Sequence, residues 1–567
     1  ASAQAGSAAS YGLTPGYNEQ IVANHTVTPG PGNPATGANY ANSPQVLDPA
    51  GSINGVGQQI AFIQTGPTTA GLSLCSGSLF NPRTVITAAH CVYNNPQHFY
   101  GSDTGTGGGV NGNFGTGGAP LSSNGIPLSF GFSSTNRCLG VTVNGCAVGT
   151  GPYEQWRDSN FTTNEALAIY NANQVWYGRG AQPVALGGGG EFANQDIAIV
   201  TLDTHVRDIP TWTLLFSPLP DATHAIVTGY GGAGVGLSGI GNLAGIDYRR
   251  RSAENMIDAL MTNNDWVDSP AINPGNTAFA AHQHAIYWLD FDDPDHDPDN
   301  LPANFFTNTA PPGGRNNGYY DFNGLGGVTL ANEGATAGGD SGGPLIVDQR
   351  FDRPVIAGVL TGSWSFNGGI STYGQFNVYP PLFQFWEEIV QNNPYIYASA
   401  KTGNGDWFDP THWVQDMDPN YAIIDSNGNL VNSLPDTPQG GADGPVDKFG
   451  TLCFLEADCT TFDGPGAPTG NGTPHYTPGG PGTTNFVPNN VEPVNNADPN
   501  LRVRARYYDV TLRRPGITRL NQAATIDVMT VDGLLSVLDI RSAGTLNTWA
   551  DFTQNIGWTN VDGVLNT

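Results

Sequence analysis

Charge is scarce in this 567-residue chain: Asp, Glu, Lys and Arg together make up 12% of it, about half the usual share of a soluble domain. The little there is leans one way, with 48 acidic residues against 20 basic ones and a formal net charge of −28. Such a surface repels phosphate backbones and anionic headgroups, which sets nucleic acid and acidic membranes aside as partners. Apolar runs are short, and none approaches the roughly 18–20 residues a membrane helix needs. The first residues are small and polar rather than a charged start followed by an apolar core, and this settles nothing about a removed leader. Strong helix formers are few as well. Seventy-seven glycines and 42 prolines, with Asn, Thr and Ser, punctuate short apolar stretches, the texture of β-structure with long loops. Six cysteines are all the chain has. They fall into three close pairs: Cys75 with Cys91, Cys138 with Cys146, and Cys453 with Cys459. There is no CxxC and no metal-ligand spacing. Six cysteines allow fifteen pairings, so connectivity stays open. Local disulfides in an oxidising compartment are favoured over buried free thiols.

What is present sorts into four stretches, within the prior of about two to four domains for this length. Residues 1–45 show no sustained period and read as an extended arm. From Gly57 onward short strand-like runs appear, GQQIAFIQT, LSLCSGSLF and RTVITAAHC. A Gly/Ser/Thr-rich stretch over 101–151 reads as a long surface loop or ornament. Strand-like runs resume at DIAIVTLD, HAIVTGYG, HAIYWLDF, PLIVD and PVIAGVLTG, and the spacing of apolar residues predicts a helix over 381–390. Residues 396–500 turn to Gly, Pro, Asn and Asp and read as a connecting region. From 501 to 567 alternation returns, and Val-Asp-Gly recurs at 531–533 and 561–563. Two copies hint at stacked β-coils, although solenoids need three or more.

Acyl transfer through a serine needs a hydroxyl, a base for its proton, a carboxylate to orient the base, and donors for the oxyanion. Each is on offer. Thr87-Ala88-Ala89-His90-Cys91 ends a β-branched strand and puts an imidazole at its tip. Asp196 heads the apolar run Ile197-Ala198-Ile199-Val200, where a buried carboxylate could fix the imidazole tautomer. Gly338-Gly339-Asp340-Ser341-Gly342-Gly343-Pro344 precedes another strand. Its glycines let the amides of Gly339 and Ser341 turn towards an oxyanion.

TAAHC, DIAIVTLD and GDSGGP, in that order, resemble the three signatures of the chymotrypsin/trypsin family of serine proteases. Supporting matches follow. Cys75 and Cys91 resemble that family's disulfide around its histidine. Thr228-Gly229-Tyr230-Gly231 resembles its Gly-aromatic-Gly strand end, Ser363-Trp364-Ser365 the strand that pairs with substrate backbone, and Phe383 to Val390 the closing helix. The resemblance spans roughly residues 50–395. It implies an all-β fold, a chymotrypsin-like double β-barrel with inserted loops over 46–395. It also implies a serine endopeptidase acting on protein or peptide substrates, with His90 as base, Asp196 orienting it, Ser341 as nucleophile, and the Gly339 and Ser341 amides as oxyanion hole. No cofactor is required by that chemistry.

Departures from the pattern matter as much. Family members activated by cleavage begin with an Ile-Val-Gly-Gly-like terminus whose amine pairs with the aspartate before the nucleophile. No such segment is expected ahead of Gly57, so Asp340 needs another partner or none, and activation by that cleavage is not expected. Ala335 aligns with the base of the primary specificity pocket, which argues against a preference for Lys or Arg. With Ser365 narrowing the wall beside Ser363 and Trp364, small or medium apolar side chains are expected before the scissile bond.

Gly405-Asp406-Trp407-Phe408-Asp409-Pro410-Thr411-His412-Trp413 and the repeating end resemble the start of a bacterial autotransporter passenger stalk. That resemblance implies a β-rich extension opening a parallel β-helix, and a secreted or cell-surface protein of a Gram-negative bacterium. It also implies a C-terminal outer-membrane barrel in the precursor. The alternative function is a surface adhesin or structural passenger whose protease site acts only in self-processing. Two features are mostly set aside. The acidic run at 290–299 lacks EF-hand spacing, so a solvated loop is favoured over a structural calcium site. His282 and His284 share one face of a strand but have no third ligand, so ordinary polar packing is favoured over a metal site.

Overall fold

The computed structural model describes residues 22–23, 54–64, 70–93, 128–137, 150–159, 161–177, 196–232, 234–235, 246, 248–261, 285–292, 330, 333–364, 371, 374–435, 481–482, 484–493 and 503–567. Strands dominate. Val56–Gln64, Ala70–Asn81, Thr84–Thr87, Ala198–Leu202, Ile169–Tyr177 and Leu128–Gly131 follow one another around a closed six-stranded barrel. Neighbours run antiparallel. Their β-branched and aromatic residues suit a pleated surface, and Val85, Ile86, Phe130, Val175 and Val200 are wholly buried inside. Each such side chain contributes about 1.5–3 kcal/mol when fully buried. Leu128–Gly131 corrects the reading of 101–151 as ornament throughout. Its four buried residues close the barrel between the first and fifth strands.

A second unit is built from a seven-stranded and a four-stranded sheet that form a half-barrel. The larger sheet runs Arg251–Ile257, Thr223–Gly229, Pro344–Val347, Val355–Val359, Thr213–Leu215, Tyr421–Ile424 and Leu430–Val431. The smaller runs Ala259–Met261, Ile286–Asp290, Phe376–Tyr379 and Gly362–Trp364. The fold is thus all-β and consistent with a chymotrypsin-like architecture. The expected closing helix starts later than the apolar spacing suggested. Pro380 and Pro381 lead into a 3-10 turn at Leu382–Gln384, Phe385 is non-helical (φ −122), and the α-helix is Trp386–Asn392.

Residues beyond 395 are not a mere connector. Tyr421–Ile424 joins the larger sheet in parallel with Thr213–Leu215, and Tyr395–Ala400, which straddles the expected boundary, pairs in parallel with Tyr507–Leu512. From there the pairing stays parallel. Asp509 lies beside Val528 and Thr545 beside Val564, nineteen residues on in each case. The two Val-Asp-Gly copies do not stack on each other, since Val531 pairs with Gln554 and Val561 with Ile540. The near end of this ladder is plugged by Trp407 and Trp413, wholly buried with ring centroids 4.9 Å apart. Their indole N–H groups donate to the carbonyls of Pro488 and Trp407.

One ion pair ties the ladder to the barrel. Arg83, in the turn between the strands Ala70–Asn81 and Thr84–Thr87, donates from Nε and Nη2 to the Asp527 carboxylate at 2.7 and 2.9 Å, both side chains being buried. The guanidinium also lies 3.9 Å from the Tyr507 ring centroid. Among the described residues no helix is long and apolar enough to cross a membrane.

Candidate active site

The Thr84–Thr87 strand ends beside the start of Ala198–Leu202, because Thr87 pairs with Ala198. That register brings together the segments just beyond each strand. On one side Ala88 and Ala89 are buried and a single helical turn, His90–Tyr93, follows. On the other is Asp196, with no exposure at all. Asp196 Oδ1 accepts the His90 amide at 2.7 Å, and Oδ2 lies 2.5 Å from His90 Nδ1. A carboxylate only accepts, so Nδ1 carries the hydrogen and Nε2 is the acceptor of the neutral ring. Burial by itself would lower the imidazole pKa, but the charge and hydrogen bond of Asp196 outweigh it and hold the ring above its ordinary value. The turn is stapled by the Cys75–Cys91 disulfide.

A third contact was not foreseen. Thr361 Oγ1 donates to Asp196 Oδ2 at 2.5 Å. Thr361 follows the strand Val355–Val359 and stands two residues ahead of Ser363-Trp364-Ser365, where the sequence had directed attention. Its only sequence signal is a hydroxyl at the end of an apolar strand, an ordinary β-residue without its distant partner.

The loop carrying Ser341 packs on the His90 side of the barrel. The Ser341 carbonyl accepts the Ser76 amide at 2.7 Å, and Cys91 Sγ is 3.7 Å away; a disulfide sulfur donates nothing, so the latter is a packing contact. Ser76 also reaches the Gly339 carbonyl through Oγ, which in turn accepts the Tyr230 amide. It is a second positioning residue that sequence reading missed, lying beside Cys75. Gly342 has φ +82, and a Cβ there would run into Ser76, Thr87 and Ala88, so only glycine lets the loop sit this close. Gly339 likewise has φ +103. The amides of Asp340, Gly342 and Gly343 donate to the carbonyls of Ala337, Leu360 and Asp340. Those of Gly339 and Ser341 have no internal acceptor among the described residues. Two neighbouring unclaimed donors on a constrained loop are what an oxyanion requires.

Asp340 is wholly buried. Its partners are backbone amides, Gly231 at 2.6 Å and Ala337 at 2.8 Å. Burial pushes its carboxyl up to about 7, with those amides and Arg251 pulling only partly the other way. The expectation that no Ile-Val-type segment precedes Gly57 needs correction. Ile21-Val22-Ala23-Asn24 has that character, and Val22–Ala23 forms a strand, antiparallel to Gly334–Ala335 and parallel to Gly234–Val235.

A trypsin family model matches residues 55–113. The trypsin-like stretch contains Cys75, His90 and Cys91 and stops before Asp196 and Ser341. No curated protein matches the chain. The likeness suggests a chymotrypsin-like serine peptidase in general, with protein or peptide substrates.

The remaining sequence-derived residues divide. Ala335 is buried in its short strand, and Ser363 is exposed on Gly362–Trp364, opposite Asn377. Ala335 belongs to the buried apolar cluster of the second unit, with Val227, Tyr287 and Leu345 among its members, while its neighbour Thr336 is bonded into a buried polar network with Ser371, Gln375 and Asn377. The acidic run begins inside the fold instead of in a solvated loop. Asp290 and Asp292 are buried, and Glu333 accepts the Asp292 amide.

Of the three expected cysteine pairs, the bond between Cys75 and Cys91 is formed. The expected pairings of Cys138 with Cys146 and of Cys453 with Cys459 fall outside the described residues. Cys138 follows directly on the described segment that ends at Arg137, whereas Cys146, Cys453 and Cys459 lie deeper in glycine-rich tracts. Ser365, His282, His284 and residues 293–299 also lie outside the described residues. Among the described residues the one grouping with metal-like spacing is Cys75, His90 and Cys91, whose sulfurs are spent in the disulfide.

Proposed function

We propose that this protein is a serine endopeptidase in which His90, Asp196 and Ser341 form the catalytic triad. The observation that carries the reading is the Asp196 carboxylate, buried and bonded to His90 Nδ1, His90 N and Thr361 Oγ1 together. With Nδ1–H so fixed, Nε2 takes the Ser341 proton as Oγ attacks the scissile carbonyl. The amides of Gly339 and Ser341 then stabilise the oxyanion. His90 returns the proton to the leaving amine, and the acyl group on Ser341 is released by a water that His90 deprotonates. The raised His90 pKa suits a ring that must hold a proton midway through the cycle. The chemistry needs no metal or organic cofactor.

We infer a secreted or cell-surface setting, which the Cys75–Cys91 disulfide supports. The parallel pairing beyond residue 395 supports reading the extension as the opening of a β-helical stalk of the autotransporter kind, with an outer-membrane barrel in the precursor. A fluorophosphonate probe tests the triad: wild-type protein should be labelled and Ser341→Ala should not. Absence of label on folded wild type would sink the reading. Cleavage of many added peptides per enzyme separates a peptidase from a passenger that cuts only itself.

A further inference from the structure

One outer edge of the parallel ladder presents large apolar side chains to water. Successive rungs stack closely there. A Cβ on Gly516 would run into Gly403, one on Gly533 into Arg513, and one on Gly557 into Gly533 and Ser536. The pairing of Ala523–Ile540 with Thr545–Val561 breaks between Asp532 and Val537, so residues 533–536 form a corner. Gly533 and Ser536 are buried at its base, which leaves Leu534 and Leu535 at its tip, 65% and 59% exposed. On the next rung Ile556, opposite Asp532, and Trp558, opposite Val537, are 43% and 53% exposed. Single exposed leucines are ordinary, whereas four large apolar side chains on two adjoining rungs mark a surface that meets something apolar. The rung with the leucines has a neighbour on each side, at 513–516 and 555–557, so their exposure belongs to the outer face of the ladder.

Charge changes sign along the same edge. A chain with a formal net charge of −28 places six of its 20 basic residues between Arg502 and Arg519, with Asp509 the single acid among them. Of these, Arg513 and Arg514 lie on the rung beside the leucines, and Lys401 stands two residues ahead of Gly403 on the rung beyond. Asp416 pairs with Arg513 and Ser399 accepts from Arg514, yet the Arg513 side chain keeps 45% of its surface open. Asp532 flanks the corner as an exposed acid. The overall acidity that disfavours anionic membranes acts from a distance. At physiological ionic strength such fields fade within about 8 Å, so the composition of this edge decides what it can touch.

We propose that this edge docks on a phospholipid surface with anionic headgroups, Leu534 and Leu535 entering the bilayer boundary and Lys401, Arg513 and Arg514 lying against phosphates. Apolar tips, an indole at headgroup depth and cations one rung away are the chemistry of interfacial binding. A protein partner would cover about 800 Å² on each side and would need a groove to receive a protruding corner. A soft lipid surface takes such a corner without a matching shape. The proposal stands apart from the peptidase reading, since none of these residues belongs to the triad or its supports.

The test sediments the full chain at physiological salt with vesicles of phosphatidylcholine alone, or of phosphatidylcholine mixed with phosphatidylglycerol. Binding should be tighter to the mixed vesicles. Leu534→Ser combined with Leu535→Ser should weaken it by about tenfold or more, with the melting temperature unchanged because both side chains already face water. Arg513→Gln should weaken binding to the mixed vesicles by about fivefold and leave binding to phosphatidylcholine as it was. No binding to either vesicle, equal binding to both, or a leucine variant that sediments like wild type would overturn the proposal. So would wild-type protein that self-associates through these leucines and binds no lipid, which would assign the edge to a second copy of the chain.

Discussion

Replacing Thr361 by Val removes one hydroxyl and leaves the shape of the side chain nearly intact, which isolates its bond to Asp196. That bond is 2.5 Å long, between a wholly buried carboxylate and a side chain that is itself buried. Hydrogen bonds to charged groups contribute about 1.5–3 kcal/mol. Asp196 keeps its two bonds from His90, so part of this is retained, and a loss of about 1.4 kcal/mol corresponds to a tenfold fall in kcat/KM. Thr361 reaches the reaction only through Asp196, so KM should stay near wild type while kcat falls. The pH profile adds a readout that a packing defect would not move. A carboxylate with one donor fewer is a stronger acceptor for Nδ1–H, so the limb reporting His90 deprotonation should shift to higher pH. Thr361→Ser restores the hydroxyl and should restore both. The assay is steady-state peptide hydrolysis from about pH 5 to 9, bracketing the ordinary histidine range, normalised to labelled serine. Wild-type kcat in Thr361→Val, with an unmoved limb, would refute the claim that the hydroxyl supports the triad.

Two further outcomes are expected. Burial pushes Asp340, Asp418 and Asp509 each up to about 7, whereas the unfolded chain ionises its aspartates near pH 4. Groups raised in this way contribute stability that is complete below about pH 4 and is lost as pH climbs through 7, a few kcal/mol per site by about pH 8 at most. The melting temperature should therefore fall from about pH 5 to pH 8, and a rise over that interval would contradict the burial of these carboxyls. Separately, Asp340 has amide partners but a carboxyl that a cation would hold ionised. Protein trimmed to begin at Ile21 should react faster with the probe than protein retaining residues 1–20, and one extra residue ahead of Ile21 should cancel the gain. Equal labelling rates for all three would dismiss a role for that amine.

What the sequence made legible follows from distance along the chain. TAAHC and GDSGGP carry their meaning within a few residues, because the turn, the glycines and the reactive side chain are adjacent. Thr361 and Ser76 carry theirs only through partners 165 and 263 residues away, Asp196 and Gly339. Locally they are a threonine ending a strand and a serine after a cysteine. Leu128–Gly131 was hidden for a related reason: four buried residues at the end of a Gly/Ser-rich tract are too few to show a period. Asn377 is a polar residue in an apolar strand, and its bond to Thr336 arises only when that strand meets the segment leading to Ser341. The expectation of small or medium apolar side chains before the scissile bond came from Ala335 and Ser365, of which Ala335 lies in an apolar cluster and Ser365 outside the described residues.

The junction between barrel and ladder bears on how the triad is held. Arg83 occupies the turn that joins Ala70–Asn81, which carries Cys75 and Ser76, to Thr84–Thr87, which leads to His90. Its guanidinium cannot lose its charge under ordinary conditions. Taking away Asp527 would strand that charge in a buried place at a cost of about 3–5 kcal/mol. The Asp527 carboxylate is itself anchored by Asn490 Nδ2. On the other side, Asn420 donates to the Phe80 carbonyl just before the same turn, and Tyr421–Ile424 completes the second sheet. Both attachments grip the far end of the two strands whose near ends position Ser76 and His90. The extension is therefore bonded to the turn from which those two strands run towards Ser76 and His90. On the proposed triad, residues well outside the stretch that resembles a protease thus anchor the strands that lead to its base.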